Sequence, residues 1–87
     1  MYKIRPHKQV IKFINSRDKK EKRIIKEKFK ELEKNPYPSN DKLDLKKLQN
    51  SNSFRLRIGK YRFIYEVFNN ELFIYIYKAD SRGDIYK

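Results

Sequence analysis

At 87 residues the chain has room for one domain with a modest core, and with no cysteine and one histidine it excludes a disulfide scaffold, a thiolate metal site or a histidine-rich one. A net charge of +12, with an isoelectric point near 10.0, exceeds what solubility needs and points to a polyanionic partner: nucleic acid, an anionic membrane surface or an acidic protein. No apolar run is long enough to span a bilayer, and Met1-Tyr2-Lys3-Ile4-Arg5-Pro6 lacks the apolar stretch of a signal peptide, so a cytoplasmic protein is expected.

In chain order, Met1 to Arg5 reads as a short first strand, and Pro6 is suited to the first turn of a helix. Val10, Ile11, Phe13 and Ile14 at helical spacing predict a first helix over about 6–15. Asp18 followed by Glu21 is a capping-box pattern. It opens a second helix over about 18–34, with Ile25, Phe29 and Leu32 on its apolar face. The other face is rich in lysine (Lys19, Lys20, Lys22, Lys26, Lys28, Lys30, with Arg23), either a solvated surface or a dock for nucleic-acid phosphates. Pro36 and Pro38 make the next segment a loop. Leu43, Leu45 and Leu48 fit either a short edge strand or an irregular plug of the core.

Three strands follow, at about 53–58, 61–68 and 71–78. Apolar and polar residues alternate on both sides of Gly59-Lys60, which predicts a two-residue hairpin with Ile58 opposite Tyr61, Arg57 opposite Arg62 and Arg55 opposite Ile64. Asn69-Asn70 is read as a second two-residue turn, placing Tyr65 opposite Ile74, Arg62 opposite Tyr77 and Ile64 opposite Tyr75. One face of this sheet is then apolar and suited to cover by the helices. The other mixes Arg55, Arg57 and Arg62 with Phe68, Phe73, Tyr75 and Tyr77, and Glu66 is the only acid expected there. Like charges directly opposite on one face repel. Guanidinium forks bind phosphate, and rings stack on unpaired bases, so the mixed face suits single-stranded RNA. A dimer interface is the other reading of the aromatics.

Two N-terminal helices, then FRLRIGKYRFIYEV, an asparagine hairpin and a terminal RGDIY: this order resembles the RelE toxins of the RelE/ParE superfamily. The resemblance covers nearly the whole chain and is strongest from about Leu43 to Tyr86. It implies a single RelE-like domain over 1–87, of the α+β class: a short N-terminal strand and a two-helix hairpin packed on one face of a small, mainly antiparallel twisted sheet. It also implies a metal-independent endoribonuclease that cuts translated mRNA in the ribosomal A site, held inactive by a cognate RelB-like antitoxin. The family's basic positions before and after the hairpin turn fall on Arg55, Arg57 and Arg62, its late arginine on Arg82 and its tyrosine on Tyr86. Arginines stand where some relatives have lysines, and an arginine is a poor base.

On that resemblance, Arg57 and Arg62 hold the scissile phosphate from opposite strands. Arg82 neutralises the leaving 5′-oxygen or helps protonate it. Tyr86 stacks on the base, orients the attacking 2′-OH or accepts its proton. Arg55, Lys60, Tyr75 and Tyr77 contact flanking RNA. His7, the lone histidine, is read as a surface or packing residue. The competing readings are a ParE-like gyrase inhibitor without nuclease activity and a non-catalytic RNA-binding module.

Overall fold

The computed structural model describes residues 1–81, arranged as β1 (Lys3–Pro6), α1 (Lys8–Asn15), α2 (Lys19–Lys34), β2 (Asp44–Lys47), β3 (Ser53–Ile58), β4 (Tyr61–Phe68) and β5 (Phe73–Ser81). The strands form one sheet in the order β1-β5-β4-β3-β2, antiparallel except for the β1–β5 pair. This is the expected α+β arrangement. The segment around Leu45 resolves as an edge strand, with Leu43 and Leu45 packed on the core. Among the described residues no helix is long and apolar enough to cross a membrane.

Local chemistry explains where the helices start. Pro6 ends β1 rather than opening α1, and His7 is the N-cap in extended conformation. Its Nδ1 accepts the backbone N–H of Gln9 at 3.0 Å, one of the donors a helix start leaves unpaired. Asp18 caps α2 by accepting the Glu21 N–H at 2.8 Å. Among the described residues the Glu21 carboxylate makes no return bond to the Asp18 N–H. The Glu21 carboxylate instead accepts the Tyr61 hydroxyl at 2.8 Å, tying the start of α2 to β4.

Both helices cover one face of the sheet. Val10 of α1 and Ile25 and Leu32 of α2 are buried against Phe54, Leu56, Ile58, Tyr61, Phe63, Tyr65, Ile74 and Ile76. Phe63 is fully buried, with the Phe29 ring edge-on at 5.3 Å and the Phe13 ring edge-on at 6.0 Å. Tyr65 is also fully buried, and its hydroxyl donates to the Pro36 carbonyl at 2.6 Å, fixing the proline loop against the sheet.

Burial pushes the Tyr65 hydroxyl above the usual phenol range, and nearby Tyr37 adds to the shift. Below about pH 10 the hydroxyl is protonated in both the folded and unfolded chain, so its contribution is complete. Above that, the unfolded chain ionises first and stability falls as pH rises. Tyr65→Phe is therefore expected to cost about 1–3 kcal/mol at neutral pH, because it strands a buried carbonyl. The gap between wild type and variant should narrow above about pH 10. Urea unfolding at pH 7 and pH 10.5 measures both; a gap that widens in alkali contradicts the assignment.

The β3–β4 hairpin matches expectation. Gly59 has φ +60° and Lys60 has no positive φ, the pattern of a type II′ turn with glycine first, and Ile58–Tyr61, Arg57–Arg62 and Arg55–Ile64 are paired. The β4–β5 hairpin does not. Phe68 pairs with Phe73, so the loop is the four residues from Asn69 to Leu72, and Leu72, at φ +53°, is half exposed instead of in the core. The Asn69 side chain is committed elsewhere: its Oδ1 accepts the hydroxyls of Tyr2 (2.6 Å) and Tyr37 (2.8 Å). The result is a two-residue shift, with Tyr65 opposite Ile76, which preserves the two faces because side chains alternate with period two. A bulge then leaves Tyr77 unmatched between the Tyr65–Ile76 and Ile64–Lys78 pairs. Beyond it Arg62 lies opposite Asp80, not Tyr77, and Ile64 opposite Lys78, not Tyr75.

Candidate nucleic-acid interface

The sheet face away from the helices is built by alternation. Asp44 and Lys46 on β2, Arg55 and Arg57 on β3, Arg62, Ile64 and Glu66 on β4, Lys78 and Asp80 on β5, and Lys3 and Arg5 on β1 share it by register. Seven of these side chains are cationic and three acidic, so the face stays positive although Glu66 is not its only acid.

The two added acids flank the arginine pair. Asp44 Oδ1 accepts from Arg55 at 2.7 Å, and its other oxygen lies 4.0 Å from Arg57. Asp80 lies 3.8 Å from the Arg62 Nε, close enough to attract and too far to hydrogen-bond. Part of the Arg57–Arg62 repulsion is thus relieved within the protein. The relief is incomplete: the Nε groups of Arg55, Arg57 and Arg62 are buried with no hydrogen-bond partner among the described residues. Burying such a donor unpaired costs about 1–3 kcal/mol or more when it is charged. Arg57 and Arg62 side chains are 33% and 24% exposed, against 14% for Arg55, so the opposed pair is the more reachable by a phosphate.

The remaining expected residues divide. Tyr75 and Tyr77 are half buried on β5, with ring centroids 5.9 Å apart. The Tyr77 hydroxyl reaches across β4 to hydrogen-bond with the Ser53 hydroxyl on β3. Lys60 does not join the arginines. Its Nζ lies 5.5 Å from the Tyr61 ring centroid, and it lines a cleft of about 290 Å³ with Glu21, Ile24 and Ile58 on the helix side of the turn. Arg82 and Tyr86 lie outside the described residues. The lysine-rich side of α2 is exposed at Lys19, Lys20, Arg23, Lys26, Lys28 and Lys30. Among the described residues no three acidic or histidine side chains gather as a metal site would require.

Asp44, Asp80 and Arg5 escaped sequence reading because pairing distant in the chain brings them here. Asp44 arrives on an edge strand ambiguous in sequence, Asp80 through the bulge, and Arg5 through the parallel β1–β5 pair.

No family model matches the sequence. A protein of Methanocaldococcus jannaschii named as toxin RelE1 is 33% identical over 87 residues, spanning 99% of this chain and 96% of that one. Among solved structures, the archaeal RelE–RelB complex from Pyrococcus horikoshii contains a chain with TM-score 0.82 and 36% identity, covering 94% of this chain and 96% of that chain. The isolated RelE toxin of E. coli shares the fold at 15% identity, with TM-score 0.77 over 99% of this chain and 92% of that one.

Proposed function

The chain belongs to the RelE family of toxins, and from that premise we propose that it is a ribosome-dependent endoribonuclease that cuts messenger RNA during translation. The observation that carries this reading is the opposed Arg57–Arg62 pair, whose side chains are both partly exposed on a positive sheet face. A phosphodiester supplies what that pair lacks: negative charge and acceptor oxygens in a geometry that guanidinium forks match.

In the proposed step the 2′-OH of one nucleotide gives its proton to water and attacks the adjacent phosphorus. The bond from phosphorus to the 5′-oxygen of the next nucleotide breaks. A 2′,3′-cyclic phosphate remains on one side, and the departing oxygen takes up a proton to become a 5′-OH. Arg57 and Arg62 stabilise the charge that grows on the phosphoryl oxygens. On the family resemblance, Arg82 is assigned to neutralise or help protonate the departing oxygen, and Tyr86 to stack on or orient the attacking nucleotide. Arg55, more deeply set and held by Asp44, contacts flanking phosphate. The scheme uses the chain's own cations and calls for no metal. The ribosome supplies alignment, which can lower a barrier by several kcal/mol. His7 is a poor base here, since its Nδ1 is occupied as the α1 cap.

The restraining partner is a RelB-like antitoxin, as in the complexes solved for the P. horikoshii and M. jannaschii relatives. An acidic segment of it would answer the charge of the open face. Purified protein added to a translating extract should generate transcript ends inside codons of translated messages, with 5′-OH termini. Intact messages with gyrase-linked DNA breaks would instead establish a ParE-like toxin.

Asp44 competes with phosphate for Arg57 in this scheme. Asp44→Asn should tighten binding of single-stranded RNA a few-fold at low salt, with the gain vanishing as salt screens the face. Asp44 is half exposed, so the stability cost should stay under about 1 kcal/mol. Fluorescence anisotropy across a salt series reads the effect; weaker binding would show that Asp44 orients the arginines instead of competing for them.

A further inference from the structure

One aromatic side chain of the open face is committed within the fold. Tyr77 crosses β4, and its hydroxyl hydrogen-bonds with the Ser53 hydroxyl on β3. Ser53 and Ile64 belong to the open face by register, yet they are only 6% and 9% exposed. The helices lie on the other side of the sheet, so the Tyr77 side chain laid across β4 provides the cover. Tyr77 is also the residue that the bulge leaves unmatched. A bulge interrupts the ladder and bends its strand. β1 runs beside β5 only as far as Ile76, so from Tyr77 onward β5 is paired with β4 alone. The end of β5 is therefore held on one side, beyond a break in its pairing.

That weakly held stretch carries a group that the arginine pair uses. Before the bulge Phe73 and Tyr75 take the open face; past it Lys78 and Asp80 do, and Ala79 packs on the core. Continued without the extra residue, β5 would bring Ala79 opposite Arg62 and turn Asp80 toward the helices. The bulge is thus what delivers the carboxylate. Asp80 lies between cations, 3.8 Å from the Arg62 Nε and 4.0 Å from the Lys78 Nζ. Its buried Oδ1 has no hydrogen-bond partner among the described residues. With only these loose contacts at its tip, the place of the carboxylate depends on the backbone that carries it.

We infer that Tyr77 and Ser53 are positioning residues for the arginine pair: their hydrogen bond braces the bulge across β4 and so holds Asp80 beside Arg62. The brace ties β5, which carries Asp80, to β3, which carries Arg57, with β4 and Arg62 between them. It replaces at the bulge the support that the interrupted ladder and the end of β1 take away. Tyr77 then serves the site by holding its acid in place, a different task from contacting a base. The effect on cleavage rests on the nuclease reading; the effect on the strand does not, and the test separates the two.

Tyr77→Phe and Ser53→Ala each delete one hydroxyl of the brace and leave the arginines untouched. Hydrogen exchange read by NMR should quicken about fivefold at the protected amides of β5 past the bulge and stay unchanged in α2. On ribosomes programmed with a message, the maximal cleavage rate should fall about tenfold, while the protein concentration that gives half of it stays the same. The double variant should lose no more than either single one, because both remove the same bond. Exchange at the wild-type rate in both variants would show that the brace holds nothing, whether or not the protein cuts messages. Faster exchange with wild-type cleavage would make the bond a feature of the fold alone and overturn the positioning role. Losses that add, or a raised half-maximal concentration at an unchanged maximal rate, would mean that the hydroxyls meet RNA separately, and would also overturn it. If exchange quickens as expected but the wild type cuts nothing, the brace stands and the nuclease reading falls.

Discussion

Arg62→Ala should lower messenger cleavage by about a hundred- to a thousandfold while the protein stays folded. The rate loss follows from position. Arg62 is directly opposite Arg57 on a face where paired side chains sit about 5 Å apart, so the two can grip one phosphate from both sides. Removing one donor leaves the transition-state charge half compensated. The fold should tolerate the change. The Arg62–Asp80 pair is loose at 3.8 Å and partly exposed, and such pairs are worth about 0–1 kcal/mol. Loss of the pair is also offset by relief of repulsion with Arg57. A melting temperature within about 5 °C of wild type, together with abolished growth arrest, is the expected result. Arg62→Lys keeps the charge but loses the fork, and should fall between wild type and Ala. Cleavage that survives in both Arg62→Ala and the Arg57→Ala, Arg62→Ala double variant would remove the pair from the mechanism.

The acids beside the pair sharpen this expectation. Had Arg57 and Arg62 faced each other with no acid nearby, Arg62→Ala would be expected to stabilise the chain. With Asp44 and Asp80 in place the repulsion within the pair is eased while the face stays positive, and phosphate must displace these carboxylates only from loose contacts with Arg57 and Arg62. Distances of 3.8 and 4.0 Å leave the guanidinium groups attracted and incompletely hydrogen-bonded. A site of this kind holds its arginines in position and still leaves donors for a ligand.

The parts of this arrangement legible in the sequence share one property: they are local. The Gly59 turn and the alternation around it determine the Arg57–Arg62 pairing within a dozen residues, and Asp18 marks the start of α2 by its own hydrogen bond. What was not legible depends on contacts across the chain. Asn69 looked like a tight-turn residue, but two tyrosine hydroxyls from elsewhere claim its side chain, and the loop lengthens by two. The bulge at Tyr77 inserts one residue and brings Asp80 to Arg62, where period-two counting placed a tyrosine. Arg5 reaches the open face only because β1 pairs in parallel with the last strand, a pairing with no local signal. Pro6 illustrates the same limit, since a proline suited to open a helix instead closes an edge strand, where its missing donor is tolerated.

Phe63→Ala should cost about 3–5 kcal/mol, the usual range for emptying a buried phenylalanine site. A chain of 87 residues has about 4–13 kcal/mol to lose. Phe63 is fully buried at the centre of β4, and edge-on contacts from Phe13 on α1 and Phe29 on α2 meet on its ring. Its removal therefore loosens both helices from the sheet at once. A lower urea midpoint with an unchanged slope is expected, and Phe63→Leu, which retains most of the volume, should cost far less. A loss under about 1 kcal/mol for Ala would mean that the helices do not depend on this ring. Phe63 is adjacent in sequence to Arg62 on the opposite face, so both Ala variants should abolish growth arrest, by different routes. Phe63→Ala acts through the amount of folded protein, and its residual folded fraction should cut messages at the wild-type rate. Arg62→Ala acts on the chemistry, and its folded protein should not. Cleavage rates normalised to the folded fraction distinguish a residue that builds the sheet from one that uses it.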